Sequence, residues 1–466
     1  MIFSIFEQLE KVKLSNKLEN IGNYAFGDCE SLKSVTIPNS VKILGNGVFS
    51  KCTSLNTVTT GSNIKSIGDE AFLECKSLEN FSLPSSVKSI GKVAFYNCSS
   101  IKSFTIPQID RISEGMFHGC SGITTITVPN TVKNIDMRAF YDCSNLISAK
   151  LSNNLKSIGE DAFGFCSSLD SIVIPDSVTT IDIRAFYECY NLKSAKLSNN
   201  LKSIGEDAFR GCSNLDNIVI PDSVTTIVSG AFYECSNLKS VKLSNSLTNI
   251  DEFLFSGCSS LQDITIPNNV KNISDYAFQS CENLNTIVIG NNVETIGNYS
   301  FALCENLKNV KISNSVKSIG TAAFRDCDNL DSITISKNVS NIGEYAFGYY
   351  SLYNEENDNF DNVKYNNYKI YGYKNTAAET YAKENGFEFI SLGEQILIGD
   401  ANQDGTVNIK DVTYLQMHIA GNKNTDGSPL IDETNKQLFG SIDMNNDGKL
   451  TVNDVTALQT YLTQNN

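Results

Sequence analysis

The chain has 466 residues, of which 41% are hydrophobic and 19% charged, and its formal net charge is −15. No apolar run approaches the roughly eighteen residues of a membrane-spanning helix, so the sequence predicts no membrane span. A phosphate backbone attracts a basic surface. Because the pI is about 4.7, we expect no nucleic-acid partner, and we expect acidic partners in general to be disfavoured.

Residues 1–7 lack the basic region, the apolar core and the small-residue cleavage site of a signal peptide. The apolar positions of the repeat described next are already occupied from Leu9 onward. Since a solenoid normally begins with a capping unit, we expect this sequence to be an N-terminally truncated fragment of a secreted chain or to have a misplaced start.

Fourteen cysteines mark a repeat that covers most of the chain. They stand at positions 29, 52, 75, 98, 120, 143, 166, 189, 212, 235, 258, 281, 304 and 327, and every interval is 23 residues except one of 22. Such a period predicts one small unit stacked on itself, a solenoid. An even number of cysteines also allows disulfides. Cβ vectors in adjacent turns are parallel rather than converging, so we favour free, buried thiols.

One turn, which begins at Leu169, serves as a template for the others. Apolar and polar residues alternate over residues 169–174, which predicts a short strand. Seven of the eight prolines directly follow this strand, and proline ends it because it cannot donate to a ladder. We expect a short helical or 3₁₀ segment around Ala185 and Phe186. Fifteen phenylalanines share that position and should fill the centre of the solenoid.

The consensus Leu-x-x-Ile-x-Ile-Pro-x-x-Val-x-x-Ile-x-x-x-Ala-Phe-x-x-Cys resembles the BspA-type leucine-rich repeat of bacterial surface proteins over about residues 9–350. The resemblance implies a right-handed α/β solenoid with a parallel sheet, used for adhesion to or recognition of proteins or glycans. Residues 148–193 are nearly repeated in 194–239, so two-turn units have been duplicated. Such duplication enlarges a surface without creating a catalytic centre.

The outward positions of the predicted strands are mostly Ser, Thr and Asn. Fifteen strands spaced about 4.8 Å apart give a face roughly 70 Å long, which suits either an extended partner or plain solvent. A partial row of lysines lies on this face, at Lys150, Lys196, Lys242 and Lys311. The position after the core phenylalanine carries Tyr96, Tyr141, Tyr187 and Tyr233. These tyrosines either contact a sugar or protein ligand or only cover the edge of each turn.

Nothing in the repeats favours catalysis, and we predict no catalytic residue. His118 lies in the variable position after the core phenylalanine, and His418, the other histidine, lies beyond the repeats on a predicted helix. Acidic residues such as Glu160 and Asp161 recur in the next copy, whereas glycoside hydrolysis needs one carboxyl pair in different environments.

The repeat ends after Phe347. Thr376 and Glu379 fit a capping box and Gly386 a helix stop, so residues 377–385 should form a helix, followed by a strand over 387–392. This segment resembles the αβ cap that ends such arrays. The cap and its linker are assigned to residues 351–395.

Two acidic loops follow, and they start 43 residues apart. Oxygen ligands at loop positions 1, 3, 5, 9 and 12, a backbone carbonyl at 7 and glycine at 6 are what Ca²⁺ requires. We therefore predict two Ca²⁺ ions. The ligand positions are Asp400, Asn402, Asp404, Thr406, Asn408 and Asp411 in the first loop, and Asp443, Asn445, Asp447, Lys449, Thr451 and Asp454 in the second.

Both loops have aspartate at position 12, where the ordinary EF-hand has glutamate, and no helical pattern precedes the first loop. In these features residues 397–466 resemble a type I dockerin. The resemblance implies binding to a cohesin of a scaffoldin through loop positions 10 and 11 and helix positions 17 and 18. Those positions are Ile409, Lys410, Gln416 and Met417 in the first half, and Val452, Asn453, Gln459 and Thr460 in the second.

Neither half has the Ser-Thr pair of the best-known dockerins, so the identity of the cohesin stays open. The two halves are alike but not identical, which leaves two binding orientations open.

The sequence thus predicts a solenoid over 1–350, a cap with linker over 351–395 and an all-α, EF-hand-like dockerin over 396–466. We interpret the chain as a secreted, extracellular, non-catalytic monomer that the dockerin attaches to a cellulosome-type complex or to the cell surface. The alternative is a glycoside-hydrolase-type component of polysaccharide degradation. An adhesin, or an inhibitor-like partner of enzymes in the same complex, is a third interpretation.

Overall fold

The computed structural model describes residues 8–355, 358–394, 397–403 and 407–464, which fall into two compact units. One unit comprises Met1–Ile333 and Asn341–Tyr368, and the other Thr334–Ser340 and Lys369–Asn466. The first unit contains the stacked turns. The three predicted domain boundaries remain predictions.

Every turn but one contains a first strand, here called the A strand, which pairs in parallel with equivalent strands of neighbouring turns. The ladder is interrupted around Ser103, where only an isolated bridge to Thr125 forms, and again before Ser332–Thr334. In Ser171–Val173 the inward Ile172 is buried and both neighbours are exposed, as the alternation in the sequence predicts. The A strands are Lys11–Lys13, Ser34–Thr36, Thr57–Thr59, Asn80–Phe81, Thr125–Thr127, Ser148–Lys150, Ser171–Val173, Ser194–Lys196, Asn217–Val219, Ser240–Lys242, Asp263–Thr265, Thr286–Val288, Asn309–Val310 and Ser332–Thr334.

A second strand of two residues, here called the B strand, follows in each turn and also pairs in parallel. The sequence analysis missed it, because two residues are too few to display an alternation. The B strands are Asn20–Ile21, Ile43–Leu44, Ser66–Ile67, Ser89–Ile90, Arg111–Ile112, Asn134–Ile135, Ser157–Ile158, Thr180–Ile181, Ser203–Ile204, Thr226–Ile227, Asn249–Ile250, Asn272–Ile273, Thr295–Ile296, Ser318–Ile319 and Asn341–Ile342.

The core is a column of phenylalanine rings. The rings stack face to face from Phe26 to Phe347, and Phe186 lies 5.4 Å from Phe163 with an angle of 3° between the ring planes. The column confirms that this position fills the centre of the solenoid. It provides a continuous apolar interior that no single turn has by itself.

The expectation of a helical or 3₁₀ segment around Ala185 and Phe186 is wrong. Arg184 and Glu188 have φ values of 52° and 53°, in the left-handed region, so the segment is a series of turns. Alternate N–H groups of the segment point along the solenoid: that of Phe186 donates to the carbonyl of Ala208 in the next turn, at 2.8 Å. The N–H groups between them, such as that of Tyr187, donate to the carbonyl three residues earlier. A helix would use all of these groups within the segment, whereas the turns use half of them to bind the next unit.

Beyond the last turns, an antiparallel hairpin joins Tyr349–Asn354 to Asn359–Lys364. The strands Lys369–Lys374 and Glu388–Glu394 pair in parallel around the helix Ala377–Asn385.

The helix spans the expected residues, but the prediction of a capping box is wrong. Thr376 donates its hydroxyl proton to the carbonyl of Tyr373 (2.6 Å) instead of capping the helix, and Glu379 accepts from the N–H of Asn375 (2.7 Å). Gly386 ends the helix with φ 68°, as predicted.

The C-terminal segment contains the helices Ile409–Ile419, Lys436–Ile442 and Val452–Gln464. Their apolar faces enclose a small core that includes the fully buried Leu415 and Leu458. None of the helices in the described residues has the length and apolar character needed to cross a bilayer.

Candidate calcium loops and recognition surfaces

The last aspartate of each acidic loop joins the two ends of that loop. Asp411 accepts hydrogen bonds from the N–H groups of Asn402 (3.2 Å) and Asn408 (2.8 Å). Asp454 accepts the equivalent bonds from Asn445 (3.3 Å) and Thr451 (2.8 Å). Positions 3, 9 and 12 are therefore arranged alike in both halves. The sequence duplication is also a structural one.

The second loop turns its other oxygen-bearing side chains toward its own interior. Asp443 accepts from the N–H groups of Asp447 (3.1 Å) and Gly448 (2.9 Å). Asn445 accepts from the N–H of Asp447 and donates its amide to the Asp447 carboxylate, both at 3.0 Å. Lys449 donates its N–H to Asp447 (2.9 Å). Side chains at positions 1, 3 and 5 thus converge. Asp404 and Thr406 of the first loop lie outside the described residues.

Four of the predicted ligands are buried carboxylates. Asp400, Asp411, Asp443 and Asp454 are 1%, 0%, 6% and 0% exposed. Burying a negative charge is costly unless a positive charge compensates it. The contacts described for Asp411, Asp443 and Asp454 are to neutral N–H and hydroxyl groups, so a divalent cation would provide the missing charge.

Within the described residues, no three His, Cys, Asp or Glu side chains are gathered tightly enough to ligate one ion. The three carboxylates of the second loop, Asp443, Asp447 and Asp454, all belong to the described residues and are not gathered to that degree. The fit to Ca²⁺, which prefers several oxygen ligands, therefore rests on burial and donor type.

The eight predicted cohesin-contact residues are all exposed, and they lie on the first and last of the three helices. Ile409 and Val452, equivalent residues of the two halves, are 66% and 67% exposed. The others are Lys410, Gln416, Met417, Asn453, Gln459 and Thr460. Exposed apolar side chains at equivalent positions are typical of a surface that a partner covers.

His418 has a structural role that the sequence did not reveal. One ring nitrogen lies 2.8 Å from the Glu433 carboxylate, and the other accepts from the N–H of Ile431 at 3.2 Å. The imidazole ring thereby links the first helix to the segment between the two halves, at Ile431 and Glu433. Only its position on a helix was predicted.

All fourteen cysteines are free and buried, which confirms the preferred alternative for the thiols. Each thiol from Cys52 onward also donates to the carbonyl of the core phenylalanine one turn earlier; Cys189, for example, lies 3.2 Å from the oxygen of Phe163. Burial raises the pKa of these thiols. The sequence signal for this contact was the fixed spacing of cysteine three residues after phenylalanine.

The predicted lysine row on the A strands alternates with valines. Val173 is paired with Lys196 and Val219 with Lys242, and both valines are more than half exposed. Among the described ion pairs, none includes Lys150, Lys196, Lys242 or Lys311. The face is therefore amphipathic locally rather than uniformly polar.

The predicted tyrosine row belongs to a longer line of rings along the turn segments. His118 lies 4.5 Å from Tyr96 and 4.8 Å from Tyr141. Burial lowers the pKa of His118. Farther along, the Arg210 guanidinium lies 4.6 Å from the ring of Tyr233 and 5.7 Å from that of Tyr187. Each ring thus contacts groups of the adjacent turns.

The line continues as a parallel stack. Tyr276 lies 4.8 Å from Phe253 and 5.2 Å from Tyr299, with 5° between the planes in both pairs. A sugar stacks on an open aromatic face, and these faces are covered by the next ring. These three rings stand two residues before the core phenylalanine, whereas the predicted tyrosines directly follow it. For the predicted tyrosines, the contacts of Tyr141 with His118 and of Tyr233 with Arg210 favour the interpretation that the row covers the turns.

A groove of about 610 Å³ beside the B strands is lined by Asp251 and Asp275. Asp275 accepts from the backbone N–H (2.7 Å) and the side-chain amide (2.9 Å) of Asn298. Burial raises the pKa of Asp251, but it does the same for Asp136 and Asp182 at the same position of other turns. These carboxyl groups are repeated features rather than one pair in different environments.

Two family models match the chain. The BspA type leucine rich repeat region (6 copies) matches residues 2–123, 110–239, 179–304, 225–354 and 272–390. The type I dockerin domain matches residues 398–463. No curated protein has significant sequence similarity to the chain.

Among solved structures, a leucine-rich repeat protein from Bacteroides ovatus is similar, with 26% identity and a TM-score of 0.64 over 80% of this chain and 88% of that one. A leucine rich cell surface protein from Faecalibacterium prausnitzii has 28% identity and a TM-score of 0.40, over 65% and 86%. A leucine-rich repeat protein from Eubacterium ventriosum has 24% identity and a TM-score of 0.43, over 69% and 83%.

Proposed function

The chain belongs to the BspA-type leucine-rich-repeat family and carries a type I dockerin domain, and on this premise we propose that it is an extracellular, non-catalytic binding protein. Its dockerin binds a cohesin of a cellulosome-type scaffoldin or of the cell surface, and its repeats recognise a protein or a glycan. The two matched families are binding modules, and neither is catalytic.

The duplication of the dockerin loops carries this proposal. Asp411 and Asp454 make equivalent contacts in the two halves, and Ile409 and Val452 are exposed to the same degree. The loop ligands would hold two Ca²⁺ ions, which tie carboxylates together and thereby stabilise the fold that presents the exposed residues.

The test is capture of the full-length chain by a panel of immobilised type I cohesins, with calcium and with a chelator. We expect capture by at least one cohesin in calcium and its loss in the chelator. The variant Asp400→Ala with Asp443→Ala should not be captured. The variant Asp426→Ala with Asp432→Ala is the matched control, because both residues are exposed loop aspartates outside the two calcium loops.

Capture that persists in the chelator, or in the Asp400→Ala and Asp443→Ala variant, would contradict calcium-dependent docking. Release of reducing sugars from a polysaccharide panel by the purified chain would contradict the non-catalytic assignment. Replacing Ile409 and Lys410 by alanine, or Val452 and Asn453, tests the two orientations: if both are used, either variant alone still binds.

A further inference from the structure

A column of lysines runs along the solenoid at the residue that precedes each B strand. Eight of the fifteen turns have lysine there, and we call these residues the lysine ladder: Lys42, Lys65, Lys88, Lys133, Lys156, Lys202, Lys271 and Lys317. Backbone bonds of 2.7 and 2.8 Å join Lys65 to Lys42 and Lys88 to Lys65. Members in consecutive turns therefore lie one strand spacing apart, about 4.8 Å, and this holds for Lys42, Lys65 and Lys88 and for Lys133 and Lys156. Asp110 separates these two groups, and Lys202, Lys271 and Lys317 each stand alone.

Most of this positive charge is not neutralised within the described residues. Lys42 pairs with Glu19 (3.2 Å) and Lys317 with Glu294 (2.7 Å). The other six lysines are exposed and take part in none of the described ion pairs.

The residue before each A strand shows the opposite arrangement. There three of the four lysines pair with an acid one turn earlier, and the pairs are Lys33 with Glu10 (3.2 Å), Lys193 with Asp170 (2.7 Å) and Lys239 with Asp216 (2.7 Å). Like charges at adjacent positions of a sheet are destabilising. Repulsion between the ladder lysines therefore lowers the stability of the fold. Such local conflicts are expected at functional positions.

The surroundings of the ladder restrict the kind of partner. The next residue is the outward residue of the B strand, which is Ser, Thr or Asn in every turn except at Ile43 and Arg111. This strip lacks the aromatic rings on which nucleic-acid bases stack, and it lacks the Tyr and Trp anchors of protein interfaces. Hydroxyl and amide groups beside ammonium groups match a ligand with many hydroxyls and regularly spaced negative charges.

We propose that the lysine ladder binds an extended acidic polysaccharide, a polymer of uronic acids with one carboxylate on each sugar ring. One ring is comparable in length to one strand spacing, so such a polymer lying along the ladder brings several of its carboxylates to the ammonium groups. The inference rests on the proposed role of the repeats in recognition and names the ligand class. The net charge of −15 does not describe this strip, so the expectation that acidic partners are disfavoured fails locally.

The test is binding of polygalacturonate to the full-length chain in calcium, with a neutral β-glucan as the comparison. The ladder variant replaces Lys65, Lys88, Lys133 and Lys156 by glutamine. The control variant replaces Lys33, Lys193, Lys239 and Lys308 by glutamine, all before A strands, and changes the net charge by the same amount. Thermal unfolding of all three proteins verifies that the exposed substitutions leave the fold intact.

We expect the Kd for polygalacturonate to rise about tenfold or more in the ladder variant and less than about twofold in the control. Binding by the original chain should also weaken about tenfold between roughly 0.05 M and 0.5 M salt, because salt screens exposed charges.

Three results would overturn the inference: equal binding of β-glucan, equal loss in both variants, or equally tight binding of single-stranded DNA. If the ladder variant binds polygalacturonate as tightly as the original chain does, the ladder is not the binding site. The proposal that the repeats recognise a ligand would still stand. Failure to bind any polysaccharide, with cohesin capture retained, contradicts the ladder but not the docking half of the proposed function.

Discussion

Cys189 contributes to its turn both as a small apolar group and as a donor. Its side chain is fully buried, and its thiol donates to the carbonyl of Phe163 at 3.2 Å. The fixed period was enough to predict burial and to disfavour disulfides. It could not predict the donor role, because that depends on the direction of a carbonyl in the preceding turn.

We expect none of the fourteen thiols to react with Ellman's reagent in the native chain at pH 8. The thiolate is the reactive form. Burial raises the pKa of the thiols, to about 12 for Cys52 and Cys304, and it also excludes the reagent. Unfolding in guanidinium chloride should expose all of them. Rapid native reaction of several thiols would contradict the buried column, and a total below fourteen after unfolding would reveal disulfides.

The turn segments illustrate what a repeat pattern predicts at the level of an element. The period predicted a compact segment at Ala185 and Phe186 that returns the chain to the start of the next turn. It did not predict the backbone conformation of that segment. Arg184 and Glu188 adopt positive φ, which costs non-glycine residues about 1 kcal/mol or more each. Hydrogen bonds to the next turn offset this cost, and they arise from stacking rather than from local propensity.

The tyrosine line along these segments should contribute to stability. We expect Tyr276→Ala to lower the free energy of unfolding by roughly 1–3 kcal/mol, because it removes contacts with two parallel rings, and Tyr276→Phe to keep it within about 0.5 kcal/mol. The measurement is the denaturation midpoint in guanidinium chloride. Tyr190→Ala is the control, since that ring is 44% exposed. An unchanged midpoint for Tyr276→Ala would instead favour a ligand-binding role.

The dockerin domain was recognised correctly from the sequence, because calcium chemistry fixes residue types at fixed spacing; the individual ligands remain predictions. The short helix Lys436–Ile442 was missed. Its seven residues include Gly440, a poor helix former, and its sequence displays no extended apolar period. Asn435 begins this helix by accepting from the N–H groups of Gln437 and Leu438, both at 3.2 Å.

At the scale of the molecule, we expect the two modules to be stabilised by different means. A solenoid gains stability from contacts between neighbouring turns, and its core needs no ligand. A dockerin gains folding free energy from bound metal. The sequence predicted this division from two unrelated motifs. It did not predict the compact units, since Thr334–Ser340 belongs to the same unit as Lys369–Asn466.

The two modules should therefore respond differently to calcium. We expect two thermal transitions by calorimetry in calcium, and removal of the metal should lower only the dockerin transition. Calcium at 100 times its Kd stabilises a one-site module by about 2.7 kcal/mol. The dockerin transition of the Asp400→Ala and Asp443→Ala variant should not respond to calcium, and the Asp426→Ala and Asp432→Ala variant should behave as the original chain does. If calcium shifts the midpoint of the repeat transition, the solenoid itself binds a metal. If calcium does not shift the midpoint of the dockerin transition, groups of the protein itself compensate the charge of its buried carboxylates.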